Sequence, residues 1–254
     1  MNSASPLLVT GGTGGLGRPT VALLREAGHE VRVLSRSEGP GLVVGDLDAG
    51  TGLDAAVAGT RVVLHLATNR KNDSAGTARL IDACRTAGVA HLIYISIVGI
   101  DRIPLGYYTS KLESERLIET SGVPHTILRA TQFHNFVSDF LVPQRRLPWL
   151  TAPAIPVQPI AIEEVAGRLV ELVELEPAGR VPDIGGPERG DLRGFAQQWQ
   201  QAFGTRKPVW SPRIPGKLIA AFNSGHSMTP LPGFGRQTFA EYARIQAASA
   251  ERAH

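Results

Sequence analysis

Residues 7–35, LLVTGGTGGLGRPTVALLREAGHEVRVLS, constrain the fold more than any other part of the chain. An apolar run ends at Thr10, glycines follow at 11, 14 and 17, an amphipathic stretch runs to Gly28, and a second apolar run closes the unit. In a strand–helix–strand unit each of these glycines has a job. Gly11 permits the tight turn, Gly14 lets the backbone approach a pyrophosphate, and Gly17 lets the helix pack on the strand. Thr13, Gly15 and Leu16 complete the loop, and the helix N-terminus beyond it faces the anion. A bare glycine pattern is common; this one meets the strand, helix and second-strand conditions together.

The end of the second strand is where such a unit meets the adenosine ribose, and an acidic residue there favours NAD. Here the place holds Ser35, Arg36 and Ser37. A guanidinium forms a charge-assisted pair with a 2′-phosphate that a carboxylate would repel. Arg36 therefore selects NADP (NADPH) as the expected cofactor.

Beyond this unit, short β-branched runs at 41–46, 61–67, 91–96 and 125–130 alternate with helical patterns at 51–58, 75–88 and 109–122. That alternation predicts βαβ units, and the near-continuous apolar strands predict a parallel sheet covered on both faces. The expected fold is α/β, a Rossmann-type doubly wound parallel sheet with a small C-terminal substrate lobe. Residues 1–142 form the NAD(P)-binding domain, joined by a late strand near 181–186, and 143–254 form most of the lobe. Prolines at 143, 148, 153, 156 and 159 open a long connection. Helical patterns near 162, at 191–203 and at 234–248 follow, the last two flanking a Pro- and Gly-rich stretch, 205–233.

No apolar run approaches membrane-spanning length, and MNSASPLLVT has no basic segment ahead of an apolar one. A cytoplasmic protein with no membrane partner is expected, as monomer or homodimer. Lone Cys84 lies on a helical apolar stripe and reads as core filling. The formal charge is +3 with a pI near 9.3. The arginines look scattered, however, and the pair Arg145 and Arg146 reads as solvated surface charge, so no nucleic-acid partner is expected. His65, His91 and His125 lack ligand spacing, which leaves no metal site.

With loop and strand end in place, the chain resembles the short-chain dehydrogenase/reductase superfamily, in its atypical NmrA-like and quinone-reductase-like, NAD(P)H-binding branch. VVGDLDAG carries Asp46 and Leu47 where the family contacts adenine, and VVLHLAT carries Ala67 and Thr68 where its fourth strand passes the cofactor ribose. The resemblance implies that Tyr107 and Lys111 form the family's Tyr-x-x-x-Lys pair. Tyr107 would be the acid, and Lys111 would tune it and bond the nicotinamide ribose. Ser96 matches the first position of the family's serine pair, with Ile97 in the second. LRATQFHNF is similar to the family's segment after the sixth strand; Phe133 and Asn135, with Trp149, would border a small-molecule substrate.

The implied activity is NADP(H)-dependent reduction of a carbonyl or quinone by hydride transfer. Two alternatives stay open: an NmrA-like regulator that senses NADP(H) without turnover, and a nucleotide-sugar epimerase or dehydratase.

Overall fold

The computed structural model describes residues 5–69 and 72–252. Residues 1–4, at the head of the segment read for a targeting signal, lie outside them. The first half alternates β1 (Leu7–Thr10), α1 (Gly17–Glu26), β2 (Val31–Ser35), β3 (Leu42–Val44), α2 (Leu53–Val57), β4 (Val62–His65), α3 (Asp73–Ala87), β5 (His91–Ile97), α4 (Gly106–Thr120) and β6 (His125–Ala130). Next come α5 (His134–Leu141), a 3-10 turn over Val142–Arg146, β7 (Leu150–Thr151), β8 (Pro156–Val157), α6 (Ile162–Val173) and β9 (Gly179–Arg180). The chain closes with β10 (Gly190–Asp191), α7 (Leu192–Ala202), β11 (Val209–Trp210), α8 (Lys217–Asn223) and α9 (Phe239–Arg252).

Seven strands form one parallel sheet in the order β3-β2-β1-β4-β5-β6-β9. Helix α1 packs on α6, while α3 packs on α2 and α4, giving the two helical layers of a doubly wound sheet. This is the Rossmann-type α/β fold read from the strand and helix periodicities. Its main core includes Leu8, Leu34, Val63, Leu80, Leu92 and Ile127. Cys84 is buried and unpaired within that core, and burial pushes its thiol up to about 12. Helix α3 starts where the Asn72 side chain accepts from the Ala75 N–H and stops at Gly88, whose φ is +67°.

The chain divides into two compact units. The first takes the chain up to Ser96, then Leu105–Arg129 and Ile162–Pro182; the second takes Ile97–Pro104, Ala130–Ala161 and the chain from Asp183 onward. The division is more interleaved than one boundary after residue 142, because α6 packs on α1 and belongs with the sheet. The second unit has its own core, including Val137, Leu141, Leu150, Trp199 and Phe239. It also holds two small sheets, antiparallel β8·β10 and parallel β7·β11.

Three elements differ from expectation. The late strand comes earlier and is shorter, Gly179–Arg180, because Pro182 has no N–H for a ladder; Ile184 makes only an isolated bridge to Ala130. Helices α5 and α8 were not expected. The first is eight residues long and runs straight into a 3-10 turn containing Pro143; the second is seven residues inside the Pro- and Gly-rich stretch. Among the described residues no helix is long and apolar enough to cross a membrane, and no group of three or more His, Cys, Asp or Glu could hold a metal ion.

Candidate functional site

Strand order reverses between β1 and β4, and open α/β sheets take ligands outside the carboxyl ends of the strands at such a point. The glycine loop leaves β1 there. Gly11 has φ +70°, and a Cβ on it would lie 2.7 Å from Ala67 backbone; one on Gly17 would lie 2.1 Å from the Gly11 carbonyl oxygen. The fold itself demands both glycines. A Cβ on Gly15 would meet nothing within 4 Å, and one on Gly14 only the Gly11 oxygen at 3.2 Å. Packing is tight for a Cβ at 14 but gives no reason for bare backbone at 15, whereas a group lying against the loop from outside does. Helix α1 begins with no side-chain cap and no acidic residue in its first turn, which leaves its N-terminus suited to an anion.

Arg18, which sequence reasoning missed, donates from Nε to the Thr13 carbonyl at 2.8 Å, so its guanidinium lies against the loop. A cation directly after the third glycine was its only signal. Arg36 is exposed just past β2; since Leu34 pairs with Thr10, it sits beyond the strand end alongside the loop. Asp46 closes a turn, its Oδ1 accepting from the N–H groups of Asp48 at 2.7 Å and Ala49 at 3.3 Å. The turn presents half-buried Leu47 against the main core. These residues fit a dinucleotide: bare backbone and a helix N-terminus for a pyrophosphate, and two arginines for further phosphate charge.

The start of α4 is organised by side chains. Lys111 is 4% exposed. Its Nζ donates to the Tyr94 hydroxyl at 2.9 Å, stands 4.5 Å from the Tyr94 ring centroid and lies 3.8 Å from Asp73 Oδ2. Burial lowers Lys111 to about 8, and the Asp73 and Glu115 carboxylates keep it from falling further. Asp73 Oδ1 accepts from the Asn69 N–H at 2.8 Å, and Oδ2 accepts from Thr68 Oγ1 at 2.7 Å. The Tyr107 phenol is 3.2 Å from the same Thr68 oxygen. Thr68 has one proton, which goes to the carboxylate over the shorter contact, so Tyr107 donates to Thr68. The resemblance implied that Lys111 tunes Tyr107; here hydrogen bonds and an ion pair from both side chains also converge on Asp73, which sequence reasoning missed.

A second buried polar chain lies behind this one. The His65 ring joins Thr10 Oγ1 at 2.7 Å to Thr77 Oγ1 at 3.0 Å, and Thr77 lies 3.1 Å from Ser114 Oγ. Burial first, and Lys111 second, push His65 down to about 3, so the ring is neutral. Burial also raises Tyr94 far above the ordinary phenol range, keeping it protonated. Ser96, near the carboxyl end of β5, is 3% exposed, and its Oγ has no hydrogen-bond partner among the described residues. A buried hydroxyl in that state costs roughly 1–3 kcal/mol, a need that a bound polar group would meet.

The structure thus brings Tyr107, Lys111 and Thr68 into one cluster, with Ala67 beside Gly11. Phe133, Asn135 and Trp149 belong to the second unit. Phe133 precedes α5 and bridges Ile160, Asn135 lies in the first turn of α5, and Trp149 is exposed ahead of β7.

The family model described as NAD(P)H-binding matches residues 11–139. Photosystem II assembly factor Ycf39 of Cyanophora paradoxa is 27% identical over 233 residues, covering 82% of this chain and 71% of that protein. Quinone oxidoreductase 2 of Escherichia coli is 27% identical over 135 residues, 48% of this chain and 47% of that protein. Among solved structures, the NADPH-dependent quinone oxidoreductase of E. coli complexed with NADPH superposes with a TM-score of 0.81 at 18% identity, over 94% of this chain and 99% of that one. Citrobacter triphenylmethane reductase complexed with NADP(H) gives 0.79 at 18% identity, over 95% and 99%. These likenesses show the fold. With just over half its length matched by the family model, the chain belongs to the NAD(P)H-binding family.

Proposed function

We propose that the protein is an NADPH-dependent reductase of a carbonyl or quinone. The observation that carries this reading is the convergence of Tyr107, through Thr68, and of Lys111 on the buried carboxylate of Asp73. NADPH, when bound, supplies the hydride. Gly14, Gly15 and the α1 N-terminus would take its pyrophosphate, and Arg36 its 2′-phosphate. Tyr107 would give its phenolic proton to the substrate oxygen, so that a carbonyl leaves as an alcohol, hydride on carbon and proton on oxygen. The Thr68 hydroxyl and Asp73 hold that phenol in line, and Lys111 holds positive charge beside them, which favours the phenolate left behind. A quinone takes up one hydride and one proton in the same way and leaves as the hydroquinone, and a proton from water then restores the Tyr107 phenol. Ser96 would orient the substrate oxygen.

The deciding experiment follows NADPH oxidation across quinones and ketones. Tyr107→Phe should lower turnover by roughly a hundredfold or more, the scale of a lost general acid, while NADPH binding persists. Turnover indifferent to this variant would remove Tyr107 from the chemistry.

The likeness to Ycf39 across most of the chain favours one other reading, an NADP(H)-binding assembly or regulatory factor without turnover. It requires tight cofactor binding, no oxidation with any acceptor and no effect of Tyr107→Phe. A nucleotide-sugar epimerase fits less well, since Arg36 stands where an NAD-retaining site would carry an acid.

A further inference from the structure

Apart from Trp149, which the resemblance set beside the substrate, the second unit carries a surface that the reductase reading does not use. Val137 and Leu141 of α5 are buried, which turns Phe136 and Phe140, one turn apart, outward. Phe136 is 55% exposed, and Val142 and Leu147 are exposed further along the same segment. In the β7·β11 ribbon, Leu150 pairs with Val209 and Thr151 with Trp210. Leu150 is buried, so its neighbours Trp149 and Thr151 face the other way, and Trp210 shares their side. Trp149 and Trp210 are 49% and 61% exposed on that outer face.

Hydrogen bonds bind these pieces together. The Gln144 side chain donates to the Phe140 carbonyl at 2.9 Å and accepts from the Thr151 N–H at 2.7 Å. Lys207 Nζ donates to the carbonyl oxygens of Arg145 and Leu147, tying the β11 segment to the 3-10 turn. Prolines at 143, 148, 208 and 212 stiffen the loops between them, so presenting the aromatics costs little ordering. Across residues 136–151 and 203–217 there are six Lys or Arg and a single carboxylate, Asp139. Arg145 and Arg146, which read as isolated solvated charges in the sequence, are interleaved here with exposed aromatics.

We propose that this face of the second unit docks peripherally on an anionic phospholipid bilayer, contrary to the expectation of no membrane contact. Exposed Trp and Phe flanked by Arg and Lys is the composition that seats at a headgroup boundary, with rings among the acyl ends and cations against phosphate. The surplus of cations matches the negative surface of such a bilayer. The same surplus opposes self-pairing, because a two-fold contact would set the six cations of one copy against those of another.

Sedimentation of the full chain with vesicles tests this, comparing phosphatidylcholine alone with phosphatidylcholine containing phosphatidylglycerol. Binding should be at least about tenfold stronger to the anionic vesicles and should fall as salt rises. Trp199 is already buried, so a blue shift in tryptophan emission on binding reports Trp149 and Trp210. Trp210→Ser should weaken binding about tenfold, and Arg145→Glu with Arg213→Glu should abolish the preference for anionic lipid. All three positions are exposed, and circular dichroism checks that the variants fold; Ile214→Ser replaces Trp210→Ser if it does not. No binding, or equal binding to both vesicles, overturns the proposal. So does a dimer that Trp210→Ser disperses. Loss on charge reversal with Trp210→Ser silent would mark a surface for an acidic protein instead, and also overturns it.

Discussion

The two ends of the candidate site in the first unit are held in opposite ways. The glycine loop is shaped by backbone: Gly11 and Gly17 have no room for a Cβ, whereas one on Gly15 would meet no described atom within 4 Å. The start of α4 is shaped by side chains, with Tyr94, Asp73, Thr68 and Ser114 fixing Lys111 and Tyr107 through polar contacts. A backbone-held site answers to steric change and ignores pH, whereas one held by buried ionisable groups answers to both. The largest expected effect lies in the loop. Gly17→Ala should cost roughly 2–3 kcal/mol, the scale of overpacking, because the Gly11 backbone has to move. Gly15→Ala should change stability by less than about 0.5 kcal/mol yet weaken NADPH binding. Urea denaturation and cofactor titration on both variants separate the outcomes; equal stability losses would break the contrast.

At the side-chain end, His65 makes the fold acid-sensitive. Its folded value is about 3, below the unfolded 6.5. Between those values the unfolded chain binds the extra proton, so stability is full above about 6.5 and is lost as pH falls toward 3. At pH 5 the loss from this residue should be about 2 kcal/mol. Denaturation at pH 7.5 and pH 5 should show a steeper fall in the wild type than in His65→Asn. Parallel slopes would mean that His65 does not titrate across folding.

The same contrast explains what was legible in the sequence. Backbone-held parts leave local signals: Gly11, Gly14 and Gly17 are spaced for a turn, an approach and a packing contact, and β1 to β6 lie within two residues of their apolar runs. The Tyr107 and Lys111 spacing was visible for the same reason. Their shared partner was not, because Asp73, in the first turn of α3, looks in sequence like any acidic helix start. Tyr94, 17 residues before Lys111, reads as one more apolar strand residue until the fold sets it under the ammonium. In the second unit, α5 and α8 are too short for periodicity to stand out from nearby prolines and glycines. Trp149 and Trp210 share a face only because β7 and β11 pair.

Arg36 sharpens the comparison, being the one side chain expected to set specificity at the backbone-held end. A charge-assisted phosphate pair is worth on the order of 1.5–3 kcal/mol, so NADPH should bind at least about tenfold more tightly than NADH. Arg36→Glu should erase or reverse that ratio while leaving NADH affinity near its starting value. Fluorescence titration with both nucleotides measures it. An unchanged ratio would transfer the 2′-phosphate to Arg18, whose guanidinium also lies at the loop.

The smallest effect at neutral pH, and the most specific, concerns Asp73. Burial lowers Lys111 to about 8, and Asp73 is the strongest of the groups that hold it up, ahead of Glu115. If the ammonium form is the working form, activity falls as pH rises through about 8. Asp73→Asn removes the opposing charge 3.8 Å from Nζ but keeps an amide oxygen that can accept from the Asn69 N–H, so the local fold should hold. The Lys111 value then drops, by about one unit at the low end of what a neighbouring charge supplies, and the descending limb of kcat/KM moves the same distance toward acid. Near pH 7 this costs only about twofold, since roughly half the lysines keep their proton. Near pH 8.5 the deficit widens to about eightfold. A uniform loss at every pH would instead mean that Asp73 acts by placing Thr68 and Tyr107, and a pH–rate profile of the single variant distinguishes the two.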